Sequence, residues 1–211
     1  MGTRAYRSER READAAATRA AIRDAASRLF VAQGYAATTL RDVAREAGVG
    51  ERTVYAAFAS KFDLYHHALD VATVGDEEPV PVRDRPEVAA ALEVPDPRAS
   101  LAAGIDYGVA LFERAGDLIW VGIQAEGADP QVRALAEGGS RETRAVMLRT
   151  AVDLAERRAL RPGLGAHEAA DVLFSLSSPH VFHLLRRVCG WSAQAYRAWL
   201  QRTLADQLLG E

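Results

Sequence analysis

The sequence predicts an all-α protein, and three observations carry that prediction. No run of alternating β-branched and polar residues marks a strand. Capped amphipathic segments succeed one another through most of the 211 residues. Between Thr39 and Lys61, two short amphipathic segments are joined by a turn containing glycine.

The N-terminal elements can be justified in order. Ile22, Ala25, Ala26, Leu29 and Phe30 recur at helical spacing and form an apolar stripe, and Gly34 closes that helix. Thr39 is placed to cap a second helix, and Asp42 completes a Thr-x-x-acid capping box. Leu40, Val43, Ala44 and Ala47 share its buried face, and Gly48 sits where a positive φ ends a helix and turns the chain. A third helix then keeps Val54, Ala57 and Phe58 inward and leaves Glu51, Arg52, Thr53, Tyr55 and Ala56 outward. Such an outward face, on a short helix behind a tight turn, fits the major groove of DNA. Ser60 and Asp63 form a second capping box that opens a fourth helix.

Residues 15–72 closely resemble the DNA-binding domain of the tetracycline-repressor (TetR) family of bacterial one-component regulators. The resemblance rests on the spacing of Ala44, Gly48, Val49, Thr53, Tyr55, Phe58 and Lys61 and on the Phe58-x-Ser60-Lys61-x-x-Leu64 sequence. It implies that Arg41, Glu51, Arg52 and Thr53 face base edges, that Thr39, Tyr55 and Lys61 hold phosphates, and that Gly50 lies at the reading helix's start. Guanidinium can read guanine O6 and N7 in bidentate fashion, while phosphate oxygens take charged or hydroxyl donors. Lys61 is the only lysine in the chain, which suggests a specific task as a point charge. The sequence departs from the family at Gly50, often serine, and at Ala57, often aromatic or histidine; a cap and a phosphate contact are in doubt there.

Upstream, residues 1–14 read as a flexible basic arm, with Arg4, Arg7, Arg10 and Arg11 against Glu9, Glu12 and Asp14. Short basic arms before such a motif reach the minor groove or the backbone; the other reading is a solvated tail. The whole chain carries a net charge of −3, which argues against bulk nucleic-acid coating. The charge is uneven, however: residues 1–70 hold 11 Lys and Arg against 9 Asp and Glu, so the DNA-facing part is the positive part.

Composition limits the remaining classes. Hydrophobic residues make up 49% and charged residues 26%, as in packed globular proteins and unlike disordered ones. The single cysteine, Cys189, permits no intrachain disulfide and suits a reducing compartment; it reads as a packing residue rather than a redox sensor. There is no apolar leader, and the longest apolar runs, such as Leu118–Val121, cannot span a bilayer, so the expectation is a cytoplasmic protein without a membrane partner. No Gly-rich phosphate loop, G-x-S-x-G elbow or Cys-His constellation is present. His180 and His183 stand at i, i+3 without a carboxylate one turn away, and the adjacent His66 and His67 point about 100° apart on a helix, so all four read as structural groups. No metal, cofactor or enzymatic activity is expected.

Residues 73–100 read as a linker or long loop, with five prolines between Gly75 and Ser100. Residues 101–211 read as a helical ligand-binding and dimerisation domain. Helices are expected near Pro97–Ala115, Gly116–Glu126, Asp129–Arg158, Ala166–Val188 and Ser192–Leu209, with Pro179 either kinking the fourth of these or ending it. The last two carry more apolar surface than one core can use: Tyr196, Trp199, Leu200, Thr203, Leu204 and Leu208 in one, and Val172, Leu173, Leu176, His183 and Leu184 beside Phe174, Val181 and Leu185 in the other. Two apolar faces need two partners, which predicts a homodimer through these helices. The resemblance implies the same arrangement, and with it a double-stranded, pseudo-palindromic operator. It also implies a pocket for a small hydrophobic or aromatic effector, for which Tyr107, Leu111, Phe112, Trp120, Gln124, Met147, Phe174 and Ser178 are the candidate walls. The expected protein is a ligand-relieved repressor. An activator, an architectural DNA binder and a helical metalloprotein or enzyme are the alternatives.

Overall fold

A computed structural model describes the backbone of residues 2–76, 80 and 82–210, and the side chains of residues 10–76, 80, 82 and 84–210. Ten α-helices are present among them: α1 (Gly2–Ala37), α2 (Leu40–Ala47), α3 (Glu51–Ala57), α4 (Lys61–Val74), α5 (Pro86–Glu93), α6 (Pro97–Ala125), α7 (Pro130–Glu156), α8 (Ala166–Leu176), α9 (Pro179–His183) and α10 (Ala193–Leu208). No strand occurs among the described residues. A lone antiparallel bridge joins Leu160 to Leu209 and ties the end of α10 to the loop after α7.

The local signals act as their chemistry dictates. The Thr39 hydroxyl accepts from the amide of Asp42 at 3.1 Å, and the Ser60 hydroxyl accepts from the amide of Asp63 at 3.0 Å, so both capping boxes are formed. Gly48 closes α2 at φ 68°, and its amide reaches back to the carbonyls of Ala44 and Arg45. An L side chain in that region is strained, so Gly48→Ala is expected to lower the denaturation free energy by about 1–2 kcal/mol. Chemical unfolding measures this directly, and an unchanged midpoint would show that the turn relaxes.

Buried side chains form two clusters. The first joins Ile22, Ala25, Ala26 and Phe30 of α1 to Val43 and Ala44 of α2, Val54 of α3, and Leu64, Tyr65 and Ala68 of α4. It also takes in Leu118, Val121 and Ala125 of α6 and Val132 of α7. The second gathers Leu101, Ile105 and Val109 of α6, Ala151 of α7, Ala169, Ala170 and Leu173 of α8, Phe182 of α9, and Tyr196, Leu200, Leu204 and Leu208 of α10. One 29-residue helix, α6, therefore supplies both cores.

Several expected elements differ. The two helices anticipated at Pro97–Ala115 and Gly116–Glu126 are one, because Gly116 packs against the Phe182 ring instead of ending a helix. The helix anticipated at Ala166–Val188 stops at Leu176, restarts at Pro179 with Ser178 as its cap, and continues as a π-helical turn, Leu184–Val188. Pro179 thus marks a boundary, occupying the first-turn position where its missing N–H costs nothing. Within the stretch expected to be a linker, residues 73–100, lies the helix α5, begun by Pro86. Residues 77–79 and 81 of that stretch lie outside the described residues. The segment expected as an arm, residues 1–14, continues α1 as helix from Gly2; Arg10 through Ala17 are exposed, and the Arg4, Arg7 and Glu9 side chains lie outside the described ones.

Candidate nucleic-acid interface

The geometry of the α2–α3 unit starts from one buried residue. Val54 is fully buried against the first core, and this fixes which side of the seven-residue α3 faces out. Glu51, Arg52, Thr53, Tyr55 and Ala56 are all exposed, Tyr55 to 59%. One group of α1 holds the end of α3 in place. Arg19 of α1 donates to the carbonyl of Ala57 at 2.5 Å and lies 4.2 Å over the Phe58 ring, where it satisfies an orphan carbonyl at the helix end.

The residues assigned to DNA by resemblance differ in freedom. Arg52 has no ion-pair or hydrogen-bond partner among the described residues. Arg41, exposed at the start of α2, donates its Nε–H to Glu51 Oε1 at 3.0 Å and so bridges the turn to α3. Thr39 is exposed, but its hydroxyl proton goes to Asp42 Oδ2 at 2.6 Å. That bond, first, and the Arg45 guanidinium hold the Asp42 carboxyl below its usual range. Gly50 caps α3 without a side-chain hydrogen bond, which is the loss expected from the absence of serine there.

Lys61 has a structural task that its spacing did not announce. Its ammonium donates to the carbonyls of Tyr35 at 2.9 Å and Ala36 at 3.4 Å and lies 4.4 Å over the Tyr35 ring. Burial pulls its pKa below the ordinary value, while the Asp129 charge opposes that shift. Two of its three N–H groups are engaged by these carbonyls.

Between the first four helices and the α6–α7 region lies a junction that the sequence did not reveal. The Phe30, Tyr35 and Tyr65 rings meet pairwise with centroids 5.4–5.7 Å apart. Tyr65 donates to the carbonyl of Leu118 in α6 at 2.9 Å, and Gly122 lies so close that an added Cβ would fall 2.3 Å from the Tyr65 hydroxyl. Tyr35 donates to Asp129 Oδ2 at 2.7 Å, while Asp129 Oδ1 caps α7 through the Gln131 amide at 2.9 Å. The Tyr35 hydroxyl, ahead of the capping amides, holds the Asp129 carboxyl below the usual carboxylate range. A folded-state pKa that is lowered adds stability above the unfolded value and loses it as pH falls. The stability gap between wild type and Asp129→Ala is therefore expected to be constant near neutrality and to shrink below about pH 4. Denaturation series at pH 7, 4 and 2.5 measure it; a gap that widens in acid would contradict the assignment.

The eight residues proposed as effector walls are scattered by comparison. Phe112 and Met147 pack against the second core. Trp120 is stacked on His183, with centroids 3.9 Å apart and planes 8° from parallel, and meets His180 edge-on at 5.6 Å. Tyr107, Leu111, Phe174 and Ser178 are half-buried and Gln124 is exposed. Two surface grooves of about 410 and 250 Å³ are lined by Trp191, Ala195, Ala198, Trp199 and Arg202, and by Arg141, Glu142, Ala145, Val146 and Arg149. None of the eight lines either groove. Among the described residues, no three His, Cys, Asp or Glu converge as metal ligands, and no helix is long and apolar enough to cross a membrane.

Comparison with known proteins agrees with this geometry. Residues 22–68 match the family model of bacterial regulatory proteins, tetR family, which spans α2, α3 and the helices flanking them. Solved structures share the fold along nearly the whole chain. NalD, the secondary repressor of the MexAB-OprM multidrug efflux pump in Pseudomonas aeruginosa, is 22% identical, with 94% of this chain and 98% of that one covered and a TM-score of 0.70. The MbdR regulator from Azoarcus sp. CIB is 18% identical over 92% and 100%, with a TM-score of 0.72. The fatty acid degradation regulator FadR from Bacillus halodurans is 14% identical over 89% and 94%, with a TM-score of 0.67. A search of curated protein sequences gives no significant match. Residues 22–68 are thus similar to the tetR family of bacterial regulatory proteins, and the chain as a whole shares its fold with these solved structures.

Proposed function

We propose that this regulator is a homodimeric repressor which binds a pseudo-palindromic operator and leaves it when a small apolar or aromatic molecule binds within residues 101–211. The observation that carries the reading is the outward face of α3, where Arg52, Thr53 and Tyr55 are exposed on either side of buried Val54. Arg41 and Arg52 are assigned to base edges. Thr53 and Glu51 are placed by the resemblance at the same base edges, Gly50 at the start of α3, and Tyr55, Lys61 and Thr39 at the backbone. The repressor role is supported by analogy with NalD, named as a repressor, whose fold the chain shares.

Dimerisation through the last two helices is supported by apolar surface that the chain's own core leaves uncovered. Tyr196, Leu200, Leu204 and Leu208 of α10 turn inward, whereas Ala195, Ala198, Trp199 and Arg202 line an open groove with Trp191. Leu184 and Val188 are 52% and 66% exposed. Effector relief is supported by α6, whose N-terminal half belongs to one core and whose C-terminal half belongs to the other. A ligand that repacks the second core shifts the population of head orientations by its differential affinity for them.

Selection of bound duplexes from a random pool, with sedimentation of the free protein, tests the reading. Recovery of an inverted repeat by a dimeric protein is expected. Enrichment of no sequence, or of an asymmetric half-site by a monomer, would overturn it.

A further inference from the structure

We propose that Glu51 acts on the reading surface as a positioning residue for Arg41 and not as a reader of bases; the inference rests on the DNA-reading function proposed above. The two residues lie on opposite sides of the Gly48 turn, Arg41 in the first turn of α2 and Glu51 as the first residue of α3. Their contact uses one atom of each: Arg41 Nε donates to Glu51 Oε1 at 3.0 Å. A guanidinium has five N–H donors in a fixed plane, so this leaves the four on Nη1 and Nη2. Those are the pair of ends that can address guanine O6 and N7 together. Holding Nε fixes the plane and direction of the fork before DNA arrives, so less side-chain freedom is lost on binding.

The neighbouring arginines show what sets this pair apart. Arg45 is tied to Asp42 on its own helix at 2.6 Å, and Arg28 is paired with Glu46 at 3.1 Å, so neither reaches α3. Arg52 is held by nothing among the described residues. Only the Arg41 pair joins the two helices across the turn among the ion pairs of the described residues. The charge balance points the same way. A bare carboxylate brought up to a phosphate-lined groove is repelled, and Arg41 neutralises it. For Glu51 to read a base, its carboxylate would have to accept from a cytosine amino group, and Oε1 is already engaged. Both side chains are well exposed, at 77% and 50%, so the pair adds little to folding and its removal leaves the fold intact.

The test uses the full-length protein and the operator recovered by selection. Affinities of wild type, Arg41→Ala, Glu51→Ala, Glu51→Gln and the double Arg41→Ala/Glu51→Ala are measured on duplexes with each base pair replaced in turn, alongside melting temperatures. The proposal expects Arg41→Ala and Glu51→Ala to lose about tenfold in discrimination at one and the same base pair. The double variant should lose no more than either single one, and Glu51→Gln, which keeps a neutral acceptor at Oε1, should recover part of the loss. All variants should melt with wild type. Three results would overturn it: Glu51→Ala altering preference at a base pair that Arg41→Ala leaves unchanged, losses that add in the double variant, or wild-type discrimination by Glu51→Ala. If wild type itself enriches no duplex, the DNA-reading function has failed before any variant is compared.

Discussion

Tyr65→Ala is expected to lower the free energy of unfolding by about 3–5 kcal/mol, the usual range for deleting a buried aromatic ring. The ring is 1% exposed and is met edge-on by Phe30 at 5.5 Å and by Tyr35 at 5.4 Å. Its hydroxyl donates to the Leu118 carbonyl, and the absence of a side chain at Gly122 is what lets it approach α6 so closely. The truncation leaves a cavity between α1, α4 and α6, where the first helices meet the rest of the chain. Tyr65→Phe isolates the hydroxyl and is expected to cost about 0.5–1.5 kcal/mol. Chemical denaturation of the three proteins makes the comparison. A loss below 1 kcal/mol for the alanine variant would mean that α6 is not part of the first core.

The second large effect concerns DNA. Arg52→Ala is expected to reduce discrimination at one base pair in each half-site by about 1–3 kcal/mol, with no change in melting temperature. Arg52 has no partner to orphan, so its loss touches only what it meets on the operator. Lys61→Ala is the contrasting case. It should weaken all duplexes to a similar extent and flatten the salt dependence, and it should also melt earlier, because its ammonium satisfies the Tyr35 and Ala36 carbonyls. Titrations of operator and scrambled duplex at two salt concentrations separate these patterns. Loss of affinity for both duplexes alike with Arg52→Ala would remove it from the base edge.

Sequence alone made the α2–α3 unit legible because its signals are local. A threonine three residues before an aspartate, a glycine after the last apolar position and a valine at the inward register each act within one turn of helix, and the structure contains all three. What escaped was tertiary. Gly116 looked like a stop and is instead the place where Phe182 packs against α6. The prolines around Pro86 suggested a loop, although proline in the first turn favours a helix start, and α5 begins there. On the surface, periodicity gave the exposure of Glu51, Arg52, Thr53, Tyr55 and Ala56 correctly, whereas Arg41 and Lys61 were placed by resemblance and Lys61 is half-buried. Periodicity could not give their partners, because Arg41 meets Glu51 across a turn and Lys61 meets carbonyls 25 and 26 residues earlier. The Tyr35–Asp129 bond spans 94 residues, a separation to which no sequence pattern speaks.

The outward face of α3 can be located on DNA by cleavage from a single attached chelate. Ala56 is exposed beside Tyr55, and a cysteine there in a Cys189→Ser background can carry an iron complex without displacing any assigned contact. On the selected operator, the tethered iron is expected to cut in two narrow windows on the major-groove side, about 34–36 Å apart, one for each copy of α3. Absence of cutting by a protein that still binds, or cutting spread evenly along the duplex, would contradict the assignment of α3 as the DNA-reading helix.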